Sequence, residues 1–254
     1  FYLRDLTEKN SLKDFKKIKY VIHLASMTNA SNSFSNKKVM YYNNIKSMQN
    51  IIDFCIKNRS KLIHISSTSV YGKQAKIVDE NCEKKYLKPQ SPYADIKLIE
   101  ERMLKKASKK LKYSTFRFGT IAGISSGMRF HTAVNLFCLS AALGRHISVY
   151  KTALNQYRPY LSLNDAFKTF KYTIENDLFE NDIYNVLSEN CTVNQILNKI
   201  RRYKKNIKIK LVNSQIMNQL SYHVSKEKLN QRGLFLNNKI EIDIKNTLKL
   251  LQNI

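Results

Sequence analysis

The sequence predicts an α/β fold in which a parallel sheet carries helices between its strands. Three apolar runs rich in strand-forming residues occur at Tyr20–Ala25, Lys61–Ser66 and Tyr113–Phe118. Segments long enough to be helical separate these runs, and the order strand, helix, strand implies parallel pairing with right-handed crossovers. After Gly123 the pattern loosens, so we expect a small C-terminal α/β lobe over the carboxyl ends of the strands, where open α/β sheets bind ligands.

Two long helices are predicted beside this sheet. Val39–Lys57 carries apolar residues on one helical face, and Tyr93–Lys110 follows Ser91-Pro92, a pair suited to the start of a helix. Phe1–Leu6 has the pattern of a strand end and its loop. The same rules assign the rest of the chain to shorter elements, with helices at His131–Leu143, Asp165–Asn176, Thr192–Tyr203 and Ile240–Leu251 and strands at Ile147–Tyr150, Tyr160–Leu163, Ile183–Val186 and Ile207–Val212.

Composition restricts the class of protein. The 254 residues are 43% hydrophobic, which is enough for one large core or a core with a small lobe. The chain has no apolar run of about eighteen residues and no signal-peptide pattern, so we expect a soluble, cytoplasmic protein without a membrane span. The cysteines lie far apart without metal-ligand spacing, so we expect reduced packing residues and no metal site, at Cys55, Cys82, Cys138 and Cys191.

The formal net charge of +25 attracts polyanions such as nucleic acids. Lysines are spread along the whole chain, and the densest cluster is Lys199–Lys210, which holds seven cations and no acid. A solvated helix end that runs into an edge strand explains this cluster, because lysines on edge strands limit aggregation. A binding patch for nucleic acid stays open as the alternative.

A hydroxyl-rich strand end precedes a Tyr-x-x-x-Lys pair. Ser67 follows an apolar strand within Ser66–Gly72, and Tyr93 and Lys97 lie on one face of a predicted helix. The spacing alone is a weak signal, because chance gives about two such pairs in a chain of this composition. Pairs without a hydroxyl-bearing strand end before them are assigned to surface helices, namely Tyr42/Lys46 and Tyr222/Lys226.

Tyr93 and Lys97 suit proton transfer at a hydroxyl group. A phenol has a reference pKa of about 10 and is a poor base at neutral pH. A nearby ammonium favours the phenolate, which is how such a tyrosine becomes a working general base. We therefore predict an enzyme that handles protons at this helix.

Further segments accompany this pair, namely Asp5-Leu6, Val21–Ala25, Asn44-Ile45, Ile65–Gly72, Pro92-Tyr93-x-x-x-Lys97, Arg117–Gly123, Arg158-Pro159-Tyr160 before Asp165, and Tyr184-Asn185-Val186. Together they resemble the extended short-chain dehydrogenase/reductase superfamily, in its NAD-dependent epimerase/dehydratase branch. The resemblance covers nearly the whole chain. It implies a Rossmann-like dinucleotide-binding domain at residues 1–125 and a mainly substrate-binding lobe at residues 126–254, with some segments returning to the core sheet.

The resemblance also implies roles for single residues. The catalytic hydroxyl lies four positions before the Tyr of Val70-Tyr71-Gly72, which selects Ser67, with Tyr93 as the acid/base and Lys97 as the residue that holds the ribose and tunes Tyr93. The residues implied to bind NAD, or NADP as the alternative, are Asp5, Leu6, Leu24, Ala25, Ser26, Asn44, Tyr93, Lys97, Gly119, Thr120 and Ile121. Those implied to bind a nucleotide-sugar substrate are Ser67, Thr68, Thr120, Asn135 and Arg158.

Two departures from the family pattern narrow these expectations. Sugar 4,6-dehydratases carry Asp-Glu directly after the catalytic hydroxyl, whereas Thr68 and Ser69 stand here, which favours reversible oxidation by an epimerase or a reductase. The first glycine is Gly72, so the family's Gly-x-x-Gly-x-x-Gly phosphate loop is absent. We therefore expect an N-terminal truncation of the Rossmann-like sheet, weak NAD binding by the chain alone and exposed sheet edges.

The leading hypothesis is an NAD-dependent nucleotide-sugar epimerase or sugar oxidoreductase that acts by reversible hydride transfer at a sugar carbon. The resemblance further implies a role in surface-polysaccharide synthesis and a homodimer with a four-helix interface built from the two long helices. Two alternatives stay open, a remnant deficient in NAD binding and an RNA-binding member of the same fold. Tyr93 and Lys97 favour the enzyme, because RNA-binding relatives generally lose this pair.

Overall fold

The computed structural model of the protein describes residues 1–28, 34–72, 74, 77–213 and 222–252. The helices are α1 (Lys37–Asn58), α2 (Pro92–Ala107), α3 (Ala133–Ala142), α4 (Leu163–Glu175), α5 (Val193–Tyr203), α6 (Glu227–Asn230) and α7 (Ile240–Gln252). The strands are β1 (Tyr20–His23), β2 (Lys61–Ser67), β3 (Ile77–Val78), β4 (Tyr113–Phe118), β5 (Thr120–Ala122), β6 (His146–Tyr150), β7 (Tyr157–Ser162), β8 (Asp182–Val186), β9 (Glu189–Thr192), β10 (Lys208–Val212) and β11 (His223–Val224). The chain divides into two compact units.

The first unit contains the parallel sheet. This unit consists of residues Phe1–Val70, Pro89–Arg117 and Phe170–Tyr184. The strand order is β1-β2-β4-β8, and β1 pairs with β2 in parallel along its whole length. Helices α1 and α2 pack against each other, and apolar side chains of α1 meet those of β2, β4 and α2 in one core. This alternation of helices with a parallel sheet confirms the predicted Rossmann-like α/β fold.

The bounds of the two long helices have local causes. Helix α1 ends because Arg59 adopts a left-handed backbone conformation, and its N–H donates to the carbonyls of Cys55 and Ile56. Helix α2 begins at Pro92, where a missing N–H costs no intrahelical hydrogen bond. The Ser91 side chain caps this helix by accepting a hydrogen bond from the Ala94 N–H at 3.2 Å. Both helices thus form close to their predicted bounds.

The second unit is a separate α/β assembly. It consists of Tyr71–Lys88, Phe118–Thr169 and Asn185–Ile254. Strands β5, β7 and β9 form a sheet in that order, in which β5 and β7 are parallel and β7 and β9 antiparallel. Strand β6 pairs in parallel with β10, and β3 with β11. Helices α3, α5 and α7 pack around one apolar core beside these strands.

Two predictions about short segments are wrong. Phe1–Leu6 is irregular instead of a strand end, because its backbone joins no ladder among the described strands. Tyr222 and Lys226 do not lie on a surface helix. Strand β11 intervenes between them, Tyr222 is buried, and the Lys226 ammonium donates to the backbone carbonyls of Ser188 and Leu236. An extended segment separates residues four apart, so this Tyr-x-x-x-Lys match has no helical face to share.

The basic segment Lys199–Lys210 covers the end of α5, a connection and the start of β10, as expected. Some of its charge is neutralised, since Lys199 pairs with Glu189 at 2.7 Å and Arg202 with Glu241 at 2.8 Å. The four cysteines all lie in described segments and form no disulfide bond there, and Cys82 is half-buried instead of packed in the core. Within the described ranges, no helix combines the length and the apolar character that crossing a bilayer requires, and no three His, Cys, Asp or Glu side chains are grouped to hold a metal ion.

Candidate active site

Ser67 lies at the carboxyl end of β2. Successive side chains of a strand point to opposite faces of the sheet, so the hydroxyl groups of Ser66 and Ser67 face different surroundings. Ser66 points into the interior, and its hydroxyl donates to Glu101 at 2.6 Å. Ser67 is half-buried, and its Oγ accepts hydrogen bonds from the Ser69 N–H at 3.2 Å and the Ser69 hydroxyl at 2.9 Å. Thr68 opens a short 3-10 helix and is buried. Because Ser67 Oγ accepts two hydrogen bonds, its own hydrogen is left to donate outward.

Helix α2 brings Tyr93 and Lys97 together on one face. Tyr93 is the second residue of the helix and is half-buried, whereas Lys97 is only 4% exposed. The Lys97 Nζ lies 5.7 Å from the centroid of the Tyr93 ring. A cation in this position favours the ionised form of a phenol. Because α2 packs on β2, both side chains belong to the same unit as the strand that ends at Ser67.

The Lys97 ammonium is held by a buried carboxylate. Its Nζ lies 2.8 Å from Glu100 Oε2, and Glu100 is 1% exposed. Burial disfavours the charged form of Lys97, but the Glu100 carboxylate and then the Tyr93 phenol outweigh this, and the pKa of Lys97 is raised. Burial also acts against the charged form of Glu100, yet Lys97 and His64 lower its pKa to about 2. Lys97 is therefore an ammonium, and Glu100 a carboxylate, at neutral pH.

A cleft in the first unit gathers several of the residues that the family resemblance implies for dinucleotide binding. Its volume is about 450 Å³. Five of the predicted residues line it, namely Asp5, Leu6, Ala25, Ser26 and Asn44. Leu24 is outside this lining and is 61% exposed just after β1. The Asp5 carboxylate accepts hydrogen bonds from the Thr7 N–H and the Thr7 hydroxyl, each at 2.8 Å, and these bonds lower its pKa.

Two asparagines of α1 shape this cleft. The Asn44 amide is buried and clamps the loop after β1, because it accepts from the Met27 N–H at 2.8 Å and donates to the Met27 carbonyl at 3.1 Å. Asn50 donates to the carbonyls of Leu6 and Thr7 at 2.8 Å and 3.1 Å, which fixes the segment that carries Asp5. Asn44 thus supports the cleft through the backbone of Met27.

The remaining predicted residues belong to the second unit. Gly119 donates to the Val186 carbonyl at 2.9 Å, and a Cβ added to it would meet the Pro159 carbonyl oxygen at 2.9 Å, so the position has no room for a side chain. Thr120 starts β5 beside Ile121, and β7, which pairs with β5, carries the half-buried Arg158. On α3, the Asn135 amide donates to the Arg129 carbonyl at 3.1 Å. Its Oδ1 is buried and has no hydrogen-bond partner among the residues the structure describes.

A family comparison agrees with this geometry. The model of the NAD dependent epimerase/dehydratase family matches residues 1–186, which include both the cleft and α2. The chain belongs to the NAD dependent epimerase/dehydratase family. The family-level resemblance read from the sequence is therefore confirmed.

Three solved structures share the fold of this epimerase/dehydratase family member. UDP-N-acetylglucosamine 4-epimerase from Methanobrevibacter ruminantium M1, in complex with UDP-N-acetylmuramic acid, superposes with a TM-score of 0.86 at 23% identity, covering 98% of this chain and 82% of that one. RMD from Pseudomonas aeruginosa, complexed with NADPH, gives 0.86 at 19% identity, with 99% and 88% covered. DesIV, a dTDP-glucose 4,6-dehydratase from Streptomyces venezuelae with NAD and TYD bound, gives 0.85 at 15% identity, with 98% and 78% covered. At these identities the likeness concerns the fold.

One curated relative is similar in sequence to this family member. It is an uncharacterized protein of Schizosaccharomyces pombe, 30% identical over 125 residues. The match covers 43% of this chain and 33% of the relative, so it spans about a third of the length of that protein.

Sequence reasoning missed several residues that support the site in this epimerase/dehydratase family chain. Asn50 and Thr7 hold the Asp5 segment, Glu100 holds Lys97 in place, and His64 in turn holds Glu100. Asn50 could have been suspected from the sequence, because it is polar and lies directly before the apolar residues Ile51 and Ile52 of α1. Glu100 had no such signal, since a glutamate three residues after a lysine on a helix is usually a surface ion pair.

Proposed function

We propose that the protein is an NAD-dependent nucleotide-sugar epimerase or a closely related sugar oxidoreductase. One observation carries this proposal within the family. The charged Lys97 ammonium lies beside the Tyr93 phenol on the helix that packs against the Ser67 strand. A phenol paired with a buried cation is suited to acid/base work at an alcohol carbon.

The proposed chemistry assigns one task to each of these three residues. Tyr93, as the phenolate, takes the proton of the sugar hydroxyl at the reacting carbon and later returns it. Ser67 donates a hydrogen bond to the same oxygen, because its own oxygen already accepts two bonds from Ser69. Lys97 stabilises the phenolate through its positive charge. A bound nicotinamide dinucleotide would supply the acceptor and donor of hydride.

The cleft around Asp5 supports a dinucleotide cofactor. By the family resemblance, Asp5 and Leu6 lie at the adenine of NAD, with NADP as the alternative. The segment that carries Asp5 is held for this by the two hydrogen bonds that its carboxylate accepts from Thr7. The sequence holds no Gly-x-x-Gly-x-x-Gly loop, so the assignment concerns the adenosine half of the dinucleotide.

Thr68 and Ser69 support reversible oxidation over dehydration. Elimination of water needs a further acid and base beside the reacting carbon, and neither residue is titratable near neutral pH. Ser69 is already engaged with Ser67 through both its N–H and its hydroxyl. Return of hydride to the opposite face of the sugar would make the protein an epimerase, and release of the ketone would make it a dehydrogenase.

The proposed substrate is a nucleotide sugar. Arg158 supports this because a guanidinium donates paired hydrogen bonds to a diphosphate, and Asn135 has a buried oxygen for a substrate donor to reach. The solved epimerase from Methanobrevibacter ruminantium binds a UDP sugar, and DesIV is a dTDP-glucose enzyme.

We further propose a homodimer through α1 and α2, supported by exposed apolar side chains such as Val39 on α1. A role in surface-polysaccharide synthesis is supported by the family resemblance alone.

Incubation with NAD and a panel of UDP and dTDP sugars tests the function. Nuclear magnetic resonance follows the configuration of the sugar carbons, and absorbance follows reduced cofactor. A 4-epimerase gives a second stereoisomer without accumulation of NADH, whereas a dehydrogenase gives NADH in step with the oxidised sugar. Binding of NAD and of a nucleotide sugar with neither product would contradict the proposed activity.

A further inference from the structure

A buried polar relay continues behind Lys97 into the sheet. Glu100 Oε2 lies 2.8 Å from the Lys97 Nζ and 3.0 Å from the His64 Nε2. The other ring nitrogen of His64 lies 3.3 Å from the Thr115 hydroxyl. All four side chains are almost completely buried, and they come from α2, β2 and β4. One carboxylate oxygen thus joins the ammonium beside Tyr93 to a histidine of the sheet.

The adjacent Glu101 provides an internal comparison. It is 8% exposed and carries the same charge, but its carboxylate receives two hydrogen bonds from Arg117, at 2.9 Å and 2.7 Å, and one from Ser66. Lys97 touches Glu100 instead. A buried ammonium that loses its counter-charge tends to give up its proton, because burial penalises the charged form. Lys97 thus depends on Glu100 far more than on Glu101.

We propose that Glu100 is a positioning residue, held by His64, which keeps Lys97 in its charged form beside Tyr93. The catalytic value of this link rests on the proposed function, since it matters only if Tyr93 is the base. The link itself is electrostatic and is measurable in the protein without cofactor or substrate. In this view, the polar relay sets the pH at which the Tyr93 phenol ionises.

Other charges around this relay set the background for such a measurement. His23 on β1 is buried, and burial together with the adjacent His64 lowers its pKa to about 4, so it stays neutral above that pH. Further titratable or charged groups near α2 in the first unit lie on β4, α1 and α2 itself, namely Arg117, Tyr113, Lys37, Tyr41, Asp95, Glu101 and Arg102. Substitution at Glu100 leaves these groups in place, and it removes a carboxylate that raises the pKa of His23.

The test is a difference titration of the Tyr93 phenol by its near-ultraviolet phenolate absorbance. Wild type, Glu100→Gln and Glu101→Gln are each titrated with and without Tyr93→Phe, and subtraction isolates Tyr93 from the other tyrosines. We expect ionisation of Tyr93 roughly one pH unit higher in Glu100→Gln, because an uncharged Lys97 no longer favours the phenolate. Glu101→Gln should move it by less than half as much. Circular dichroism over the same pH range establishes that each variant is folded.

Three outcomes would overturn the proposal. These are an unchanged Tyr93 titration in folded Glu100→Gln, a shift to lower pH, and an equal shift in Glu101→Gln. If Glu100→Gln does not fold, Lys97→Met is compared with Lys97→Met/Glu100→Gln. If Tyr93 ionises at nearly the same pH in these two variants, Glu100 acts through Lys97. A difference of a full pH unit between them refutes the proposal. No turnover is measured, so failure here removes the role of Glu100, whereas a lack of turnover in wild type counts against the proposed function alone.

Discussion

The Tyr42/Lys46 pair on α1 and the Tyr93/Lys97 pair on α2 share a spacing and a helical setting, yet they differ in burial. Tyr42 is 63% exposed and Lys46 is also exposed. Lys97 is buried, and Glu100 compensates its charge. In water the attraction between an ammonium and a phenolate is weak, whereas in the interior it is several times stronger. The comparison teaches that the proposed acid/base role of Tyr93 and Lys97 rests on the counter-charged interior behind α2 and not on the spacing of the pair.

The same contrast applies to the carboxylates of the chain. Glu100 and Glu101 are buried and each is paired with a cation. The Lys171–Glu175 pair on α4 is exposed, with 3.8 Å between its charged atoms. Asp243 is buried, and its Oδ2 has no hydrogen-bond partner within the described part of the chain. These three situations predict three different responses to substitution.

The largest effect on stability is expected at Arg117. Arg117→Met leaves the Glu101 carboxylate buried without its cation, and loss of one partner of a buried ion pair costs about 3–5 kcal/mol. Glu175→Gln, the control on the exposed pair, should change the free energy of unfolding by less than about 0.5 kcal/mol. Chemical denaturation measures both variants. Equal effects would show that burial does not distinguish the two pairs.

A medium effect, with the opposite sign, is expected at Asp243. Burial raises the pKa of this carboxyl to about 6, as does the nearby Asp165, against a hydrogen bond with Ser162. The native state therefore holds the proton more tightly than the unfolded state, so stability falls as the pH rises from about 4 to 6 and the penalty is complete above that range. Asp243→Asn should raise the free energy of unfolding by about 1–3 kcal/mol at pH 7.5 and change it little at pH 4. A gain that is independent of pH would contradict this account.

The smallest effect is expected at the first residues of the two helices. Ser91→Ala removes a side-chain cap of α2 and should cost about 1 kcal/mol. Asn36 precedes α1 and makes no side-chain cap hydrogen bond, so Asn36→Ala is the matched control and should cost less. Thermal unfolding of both variants gives the comparison. A larger loss at Asn36 would argue against the capping role of Ser91.

Much of the fold could be predicted from the sequence because its elements are locally determined. Tyr113–Phe118 forms a strand with the predicted bounds, and Ser91-Pro92 marks the start of α2 as expected. Short strands were missed, since Thr120–Ala122 has only three residues between two glycines and depends on pairing with β7. Tyr222/Lys226 was misassigned because a spacing of four does not itself distinguish a helix from an extended segment.

The residues of the candidate site also fall into those that could be named from the sequence and those that could not. Ser67, Tyr93 and Lys97 could be named as candidates from a strand end and a family pattern, and Asp5 and Asn44, named from the same resemblance, line one cleft. The supporting network could not be named. Glu100 meets His64 across 36 positions of sequence. The apolar strand around His64 indicates that this ring is buried, but nothing in the local pattern shows that Glu100 is buried or that the two side chains meet. Long-range pairing of buried polar groups is decided by packing, which composition and periodicity do not encode.

Turnover of matched tyrosine variants tests the central claim most directly. Tyr93→Phe and Tyr42→Phe each remove one hydroxyl from a Tyr-x-x-x-Lys pair, the first at the buried ammonium and the second at the surface. With a nucleotide sugar that the wild type converts, Tyr93→Phe should lose at least about a hundredfold in turnover with NAD binding nearly intact, because the general base is gone. Tyr42→Phe should retain its turnover. Normal turnover by Tyr93→Phe, or an equal loss in both variants, would contradict the account.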